Sequence, residues 1–279
     1  MKQTQEEQLN KIKLELKRLE EIRANNNWRQ VRDVKNYEVI RNDYDWDSKP
    51  AFKIPEDKYQ LYIDLQASRG LKTSVFTEDG VENFLDTCRE QCDLEKEIKE
   101  GISKGNYIDD YQRAIELGEL DFSQIDNFIE LGFRSARLLD FYSKKGISNC
   151  IGYDVVELNI LVAEYLGYQS DFFDLNKCDK KFFKFSPKSL IVSYHSLEHT
   201  SNPLKAIKYI YDSMHSGSLF HVEVPIESNR EYPNVRYAHL YAFQNFELMK
   251  MLQSVGFKIM NTTMRSLTNP IERYLVHKQ

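Results

Sequence analysis

Cysteine, tryptophan and long apolar runs are what this chain most lacks. Four cysteines and two tryptophans in 279 residues exclude a disulfide framework, because so few thiols do not staple a chain of this length. Cys88 and Cys92 lie four apart on an expected helix, but no second thiol pair accompanies them to make a zinc site. All four read as reduced thiols. No stretch reaches the roughly 18 consecutive apolar residues of a membrane span. The opening MKQTQEEQLNKIK lacks the apolar segment of a secretory signal, so a cytoplasmic location is expected. Basic charge is in deficit too, with 38 Lys and Arg against 43 Asp and Glu and a net charge of -5. That balance argues against a nucleic-acid partner, whose phosphates call for clustered Lys and Arg.

What is present suffices for a globular core. Hydrophobic residues make up 41% of the chain, and 17 Tyr and 16 Phe supply much of the apolar bulk. Residues 1–24 read as a polar helix with a narrow stripe of Leu9, Ile12, Leu16, Leu19 and Ile22, suited either to a partner helix or to the protein's own body. Ala24-Asn25-Asn26-Asn27 ends it as a hinge or turn. From Trp28 to about Gly80 the pattern is irregular and aromatic-rich. Residues 81–100 and 108–117 are expected to be helical.

After Gly118 strand-like and helix-like segments alternate, the pattern of an α/β sheet. Strands are expected at 125–131, 150–153, 189–193, 218–224, 257–264 and 271–277, with a third-strand end near Asp174. Helices fall at 136–145, 157–166, 202–215 and 246–255. The last two strands follow one another through a turn at Asn269-Pro270, so an otherwise parallel sheet closes with an antiparallel hairpin.

In such sheets ligands bind beyond the carboxyl ends of the strands, so the residues there are the candidates. The first strand delivers Glu130-Leu131-Gly132-Phe133-Arg134, an acid and a glycine at a turn where backbone can approach a ligand. The second ends at Asp154, which can accept two ribose hydroxyls or cap the next helix. Asp174 follows the third and suits an adenine amino group, with Asp171 as the competing choice. The fourth runs Ser193-Tyr194-His195-Ser196-Leu197-Glu198-His199 and on to Asn202-Pro203. His195, Glu198 and His199 suit a general base, the ligands of a divalent ion, or helix-start hydrogen bonding. A long polar segment after Pro225 reaches His239, placed to point back at His195 and His199.

Over residues 121–279 this set resembles the class I S-adenosylmethionine-dependent methyltransferases, especially the broad group with an HxLEH…NP segment after strand four. The resemblance implies a Rossmann-like, mostly parallel sheet with a C-terminal antiparallel hairpin for a methyltransferase domain at 121–279. The residues before it are outside the resemblance and read, from their own pattern, as a mainly helical N-terminal extension: an amphipathic helix at 1–24 and a lid or substrate region at 25–120. S-adenosylmethionine would lie against Glu130, Gly132, Arg134, Asp154, Asp174 and Tyr194. His195, Glu198, His199 and His239 would carry the chemistry, with His195 or His199 as base. The same four would hold a metal if one is used, although a metal-free reaction is the preferred reading. Arg134 departs from the family pattern, which carries further glycines there. The expected activity is O-methylation of a small polar acceptor, such as a sugar or glycan intermediate. The alternatives are a non-catalytic methyltransferase-like scaffold, oligomerising through the 1–24 helix, and a metal-assisted RNA 2′-O-methyltransferase.

Overall fold

The computed structural model describes residues 4–25, 37–40, 51–68, 71, 73–77, 79–100, 108–178, 187–228, 238–265 and 270–279. Asn26 and Asn27 of the expected hinge, the middle of the segment after Pro225 (229–237) and Asn269 lie outside them. A capping box starts α1 (Gln5–Ala24): the Thr4 hydroxyl accepts from the Glu7 amide and the Glu7 carboxylate accepts from the Thr4 amide, satisfying two otherwise open donors. A small antiparallel pair follows, β1 (Glu38–Ile40) and β2 (Ala51–Lys53). Then come α2 (Glu56–Ser68), α3 (Gly80–Gln91), α4 (Leu94–Glu100) and α5 (Ile108–Leu117). The helix expected over 81–100 is broken at Cys92–Asp93, and α2 lies in the stretch that reads as irregular.

The alternating half is as expected to within a few residues. It runs β3 (Asn127–Leu131), α6 (Arg137–Lys144), β4 (Asn149–Asp154), α7 (Glu157–Tyr165), β5 (Gln169–Phe172), β6 (Ser189–Tyr194), α8 (Pro203–Ser213), β7 (Leu219–Pro225), α9 (Glu247–Ser254), β8 (Phe257–Arg265) and β9 (Ile271–Lys278). The strand order is β5-β4-β3-β6-β7-β9-β8, parallel except where β9 pairs with β7 and β8. The central strands are buried on both faces, which is why they read as continuous apolar runs. Ile129, Leu131, Ile191 and Val222 face α8 and α9, while Phe128, Leu190 and Val192 face α6.

The register places the functional ends level. Leu131 pairs with Tyr153 on one side and Ser193 on the other, so Gly132, Asp154 and Tyr194 emerge along one edge. The chain leaves β3 toward β4 and β5, then returns to β6 on the other flank, which makes the β3/β6 boundary the switch point.

The stripe of α1 is occupied by the protein's own body. Ile12, Leu16 and Leu19 are buried in a cluster with Leu158, Leu161 and residues of α2, and Arg18 adds an ion pair to Asp64 at 2.6 Å. Of the stripe, Ile12, Leu16 and Leu19 thus pack on the protein's own body, while Leu9 and Ile22 are half-buried. No helix among the described residues is long and apolar enough to cross a membrane.

Candidate functional site

A cavity of about 800 Å³ opens over the carboxyl ends of β3, β4 and β6 and the segment after β5. Its floor comes from the alternating half, and its roof includes Tyr59, Tyr62 and Gln66 of α2 and Phe84 of α3. All ten candidate residues, Glu130, Gly132, Arg134, Asp154, Asp174, Tyr194, His195, Glu198, His199 and His239, line it. Asp171 does not. It is exposed, and its carboxylate caps the neighbouring Phe172 amide.

Gly132 takes φ +78°, and a Cβ there would stand 2.1 Å from Ser196 Oγ. A side chain at this position would push the β6 loop away from β3. Arg134 also has positive φ (43°), an uncommon conformation for a residue with a Cβ. Its exposed side chain stands at the cavity mouth, while its amide donates to Asp154 Oδ2 at 3.0 Å. Asp154 further accepts from the Val156 amide (2.8 Å) and Asn159 Nδ2 (3.1 Å). It therefore ties the β3 turn to the start of α7. Burial raises its pKa, and these hydrogen bonds offset part of the rise.

Asp174 accepts from the Asn176 amide at 2.9 Å and from Tyr59 Oη at 2.6 Å. Asn176 in turn holds the histidine segment: its Nδ2 donates to the His199 carbonyl (3.1 Å) and its Oδ1 accepts from the Ser201 amide (3.0 Å). Asn202 caps α8 through the Lys205 amide, with Pro203 in the first turn. The Asn-Pro pair is thus a helix start.

The fourth strand turns sharply at His195, φ +51°. Its Nε2 lies 2.9 Å from Glu223 Oε1 and its Nδ1 3.3 Å from Glu198 Oε1. Burial disfavours charge on this ring, but the two carboxylates outweigh burial and raise its pKa from 6.5 to about 9. Glu223 is in turn paired with Arg113 and Arg273, and Arg113 lies over the Tyr194 ring, 4.3 Å from its centroid. Tyr194 bonds through its hydroxyl to His221 Nδ1 at 2.7 Å. Burial and the nearby arginines keep His221 neutral, near 3.

His199 faces away from His195. Its Nδ1 lies 2.9 Å from the Ala238 carbonyl. Leu240 and Tyr241 amides both donate to the Glu198 carbonyl (2.7 and 3.1 Å), which docks the 238–241 segment and sets the His239 ring edge-to-face on His199, centroids 5.2 Å apart. His239 Nδ1 is 3.3 Å from Glu227 Oε2 and its Nε2 is 4.0 Å from Glu198 Oε1. Burial opposes charge on Glu198, yet His195, His199 and His239 lower its pKa to about 2. Glu198, His199 and His239 each present one ligand atom within 4.8 Å of the others. His195, expected among the ligands, is not part of this group; it meets Glu198 through Nδ1, and its Nε2 is taken up by Glu223.

Sequence reasoning missed Tyr59, Tyr62, Gln66, Arg113, Glu223 and Glu227. Glu223 was detectable, since an acid between Val222 and Val224 is out of place in a buried strand unless it is paired. The α2 residues carried no comparable signal.

A mostly parallel seven-stranded sheet, closed by an antiparallel hairpin and bearing its cavity at the switch point, is the Rossmann-like architecture of class I methyltransferases. The chain belongs to the methyltransferase family: a model described as "Methyltransferase domain" matches residues 98–262, more than half of it. It is an S-adenosylmethionine-dependent methyltransferase, with S-adenosylmethionine as cofactor. No curated protein matches it. Among solved structures it is similar to an S-adenosylmethionine-dependent methyltransferase from Mesorhizobium loti, at 11% identity and TM-score 0.49 over 60% of this chain and 97% of that one. A second, from Archaeoglobus fulgidus, shares 15% identity at TM-score 0.48 over 66% of this chain and 99% of its own.

Proposed function

We propose that this enzyme O-methylates a small polar acceptor, such as a sugar or glycan intermediate, with His199 as general base. The observation that carries this reading is the cavity roofed by α2 and α3, whose lining brings together carboxylates that suit a nucleoside, Glu130, Asp154 and Asp174, and the group Glu198, His199 and His239. Pockets for one small molecule run from about 300 to about 1,000 Å³, and 800 Å³ lies in the upper part of that range. The fit to the cofactor is chemical as well as spatial. Glu130, Asp154 and Asp174 are buried acids at successive strand ends, complementary to an amino group, a ribose diol and an adenine amine. The diol would share or replace the Arg134 amide at Asp154.

S-adenosylmethionine, held by Glu130, Asp154 and Asp174, would supply an activated methyl group to the acceptor oxygen and keep the electron pair of the broken carbon–sulfur bond. The hydroxyl proton passes to His199 Nε2. His199 suits this role better than His195, because a ring held protonated between Glu198 and Glu223 has no lone pair to offer near neutral pH. His195 instead supplies a fixed positive charge beside the acceptor.

The test is a panel of sugars and small hydroxylated compounds incubated with S-adenosylmethionine, reading S-adenosylhomocysteine release. Turnover that His199→Gln lowers by about 10²-fold or more and His195→Gln lowers less supports the assignment. Equal turnover in wild type and His199→Gln sinks it.

One observation favours a second reading, in which a divalent ion assists the reaction. Two imidazoles and a carboxylate form a ligand set used by zinc and other transition metals, and Glu227 and the Ala238 carbonyl are placed to orient the outer nitrogens of the two rings. An RNA end is the less favoured acceptor, because the chain carries a net charge of -5 and phosphates call for clustered Lys and Arg.

A further inference from the structure

Helix α2 lies outside the segment matched by the methyltransferase family, 98–262, yet it lines the cavity and meets His199. Tyr62 is 3% exposed. Its hydroxyl has one proton to give, and three acceptors surround it: the Ala238 carbonyl at 2.8 Å, the His199 carbonyl at 3.4 Å and His199 Nδ1 at 3.5 Å. The shortest contact has normal hydrogen-bond length and the other two are marginal, so the proton belongs to Ala238.

The same carbonyl lies 2.9 Å from His199 Nδ1. A carbonyl only accepts, so Nδ1 carries the hydrogen and Nε2 holds the lone pair. The two lone pairs of the Ala238 oxygen are thereby used, one by Tyr62 and one by His199. Ala238 itself has φ +58°, a strained conformation for alanine that persists where surrounding contacts enforce it. It immediately precedes His239. One hydroxyl therefore pins the peptide that selects the tautomer of His199 and sets the approach of His239. Gln66, one turn further along α2, places its side-chain Nε2, a donor, 3.2 Å from the same Nδ1, so it works against the Nδ1–H tautomer that the Ala238 carbonyl selects.

We propose that Tyr62 is the positioning residue for His199 and His239: a hydroxyl supplied from outside the family domain locks the Ala238 carbonyl and so directs His199 Nε2 into the cavity. The inference rests on the assignment of His199 as the working imidazole. It requires the N-terminal region to be part of the active site as well as its cover.

The test is ¹⁵N NMR of histidine-labelled full-length protein in alkaline buffer, with His199 assigned through His199→Gln. Wild type should show the Nδ1–H tautomer. Tyr62→Phe keeps the ring and its packing but removes the hydroxyl, and should shift the tautomer ratio about tenfold toward Nε2–H. Gln66→Leu, which removes a donor facing Nδ1, should keep the Nδ1–H tautomer dominant, and Tyr59→Phe, beside Asp174, should leave the ratio unchanged. A Tyr62→Phe spectrum identical to wild type overturns the proposal, even if the variant melts at lower temperature, because a purely structural tyrosine changes stability without changing the tautomer. Calorimetric titration of the same proteins with S-adenosylmethionine keeps the two claims apart. A tautomer shift with no cofactor binding in either protein refutes the methyltransfer reading alone, and an unshifted tautomer with normal binding refutes the role of Tyr62 alone.

Discussion

Glu223 holds His195 twice, accepting its backbone amide at the carbonyl (3.1 Å) and facing Nε2 with its carboxylate (2.9 Å). The turn at the end of β6 and one of the two carboxylates that charge the ring thus come from the same residue, Glu198 supplying the other. Because the folded state raises His195 from 6.5 to about 9, it binds that proton more tightly than the unfolded chain does. The resulting stabilisation is complete below pH 6.5 and is lost as pH rises through 9. Thermal melts across that window should fall more steeply for wild type than for His195→Gln. Parallel profiles would show that the ring is not held charged.

Arg134 stands in a left-handed conformation that costs a residue with a Cβ about 1 kcal/mol, and its contact with the site runs through its backbone amide. Arg134→Gly should therefore fold with stability unchanged or raised by up to ~1 kcal/mol and bind S-adenosylmethionine within a few-fold of wild type. A loss of binding of more than tenfold would mean that the guanidinium contacts the cofactor.

Leu16 is 2% exposed in the cluster that α1 shares with α7 and α2. Leu16→Ala should destabilise the protein by about 2–5 kcal/mol while its mass by sedimentation stays as in wild type. An oligomer that dissociates on this change, with stability unaltered, would return α1 to the role of an association helix.

Removal of divalent ions separates the two chemical readings. If His199 works as a base, turnover should survive excess EDTA. Abolition by EDTA, with recovery on adding zinc or magnesium, would transfer the work to an ion on Glu198, His199 and His239.

Much of the sheet was legible because its strands are bounded by distinct helices and end on recognisable acids. Asp154 could be named from position alone, whereas Asp174 separates from Asp171 only in the structure, where Asp174 lines the cavity and Asp171 is exposed. α2 was not legible: Tyr62, Ile63, Asp64 and Leu65 are buried in succession, because the helix is covered on several sides and shows no single apolar face. Without a 3.6-residue period it reads as irregular, and its three contributions to the site go unseen. The division between His195 and His199 was equally hidden. Their spacing suggests a shared helical face, but the turn at His195 sends the rings to different partners, Glu223 and the Ala238 carbonyl.

If the cavity over β3, β4 and β6 holds S-adenosylmethionine through Asp154, calorimetric titration should give micromolar binding by wild type, weakened at least tenfold in Asp154→Ala, as loss of charge-assisted bonds to a ribose requires. Equal affinity in the two proteins, or no binding to folded wild type at millimolar cofactor, would contradict that placement.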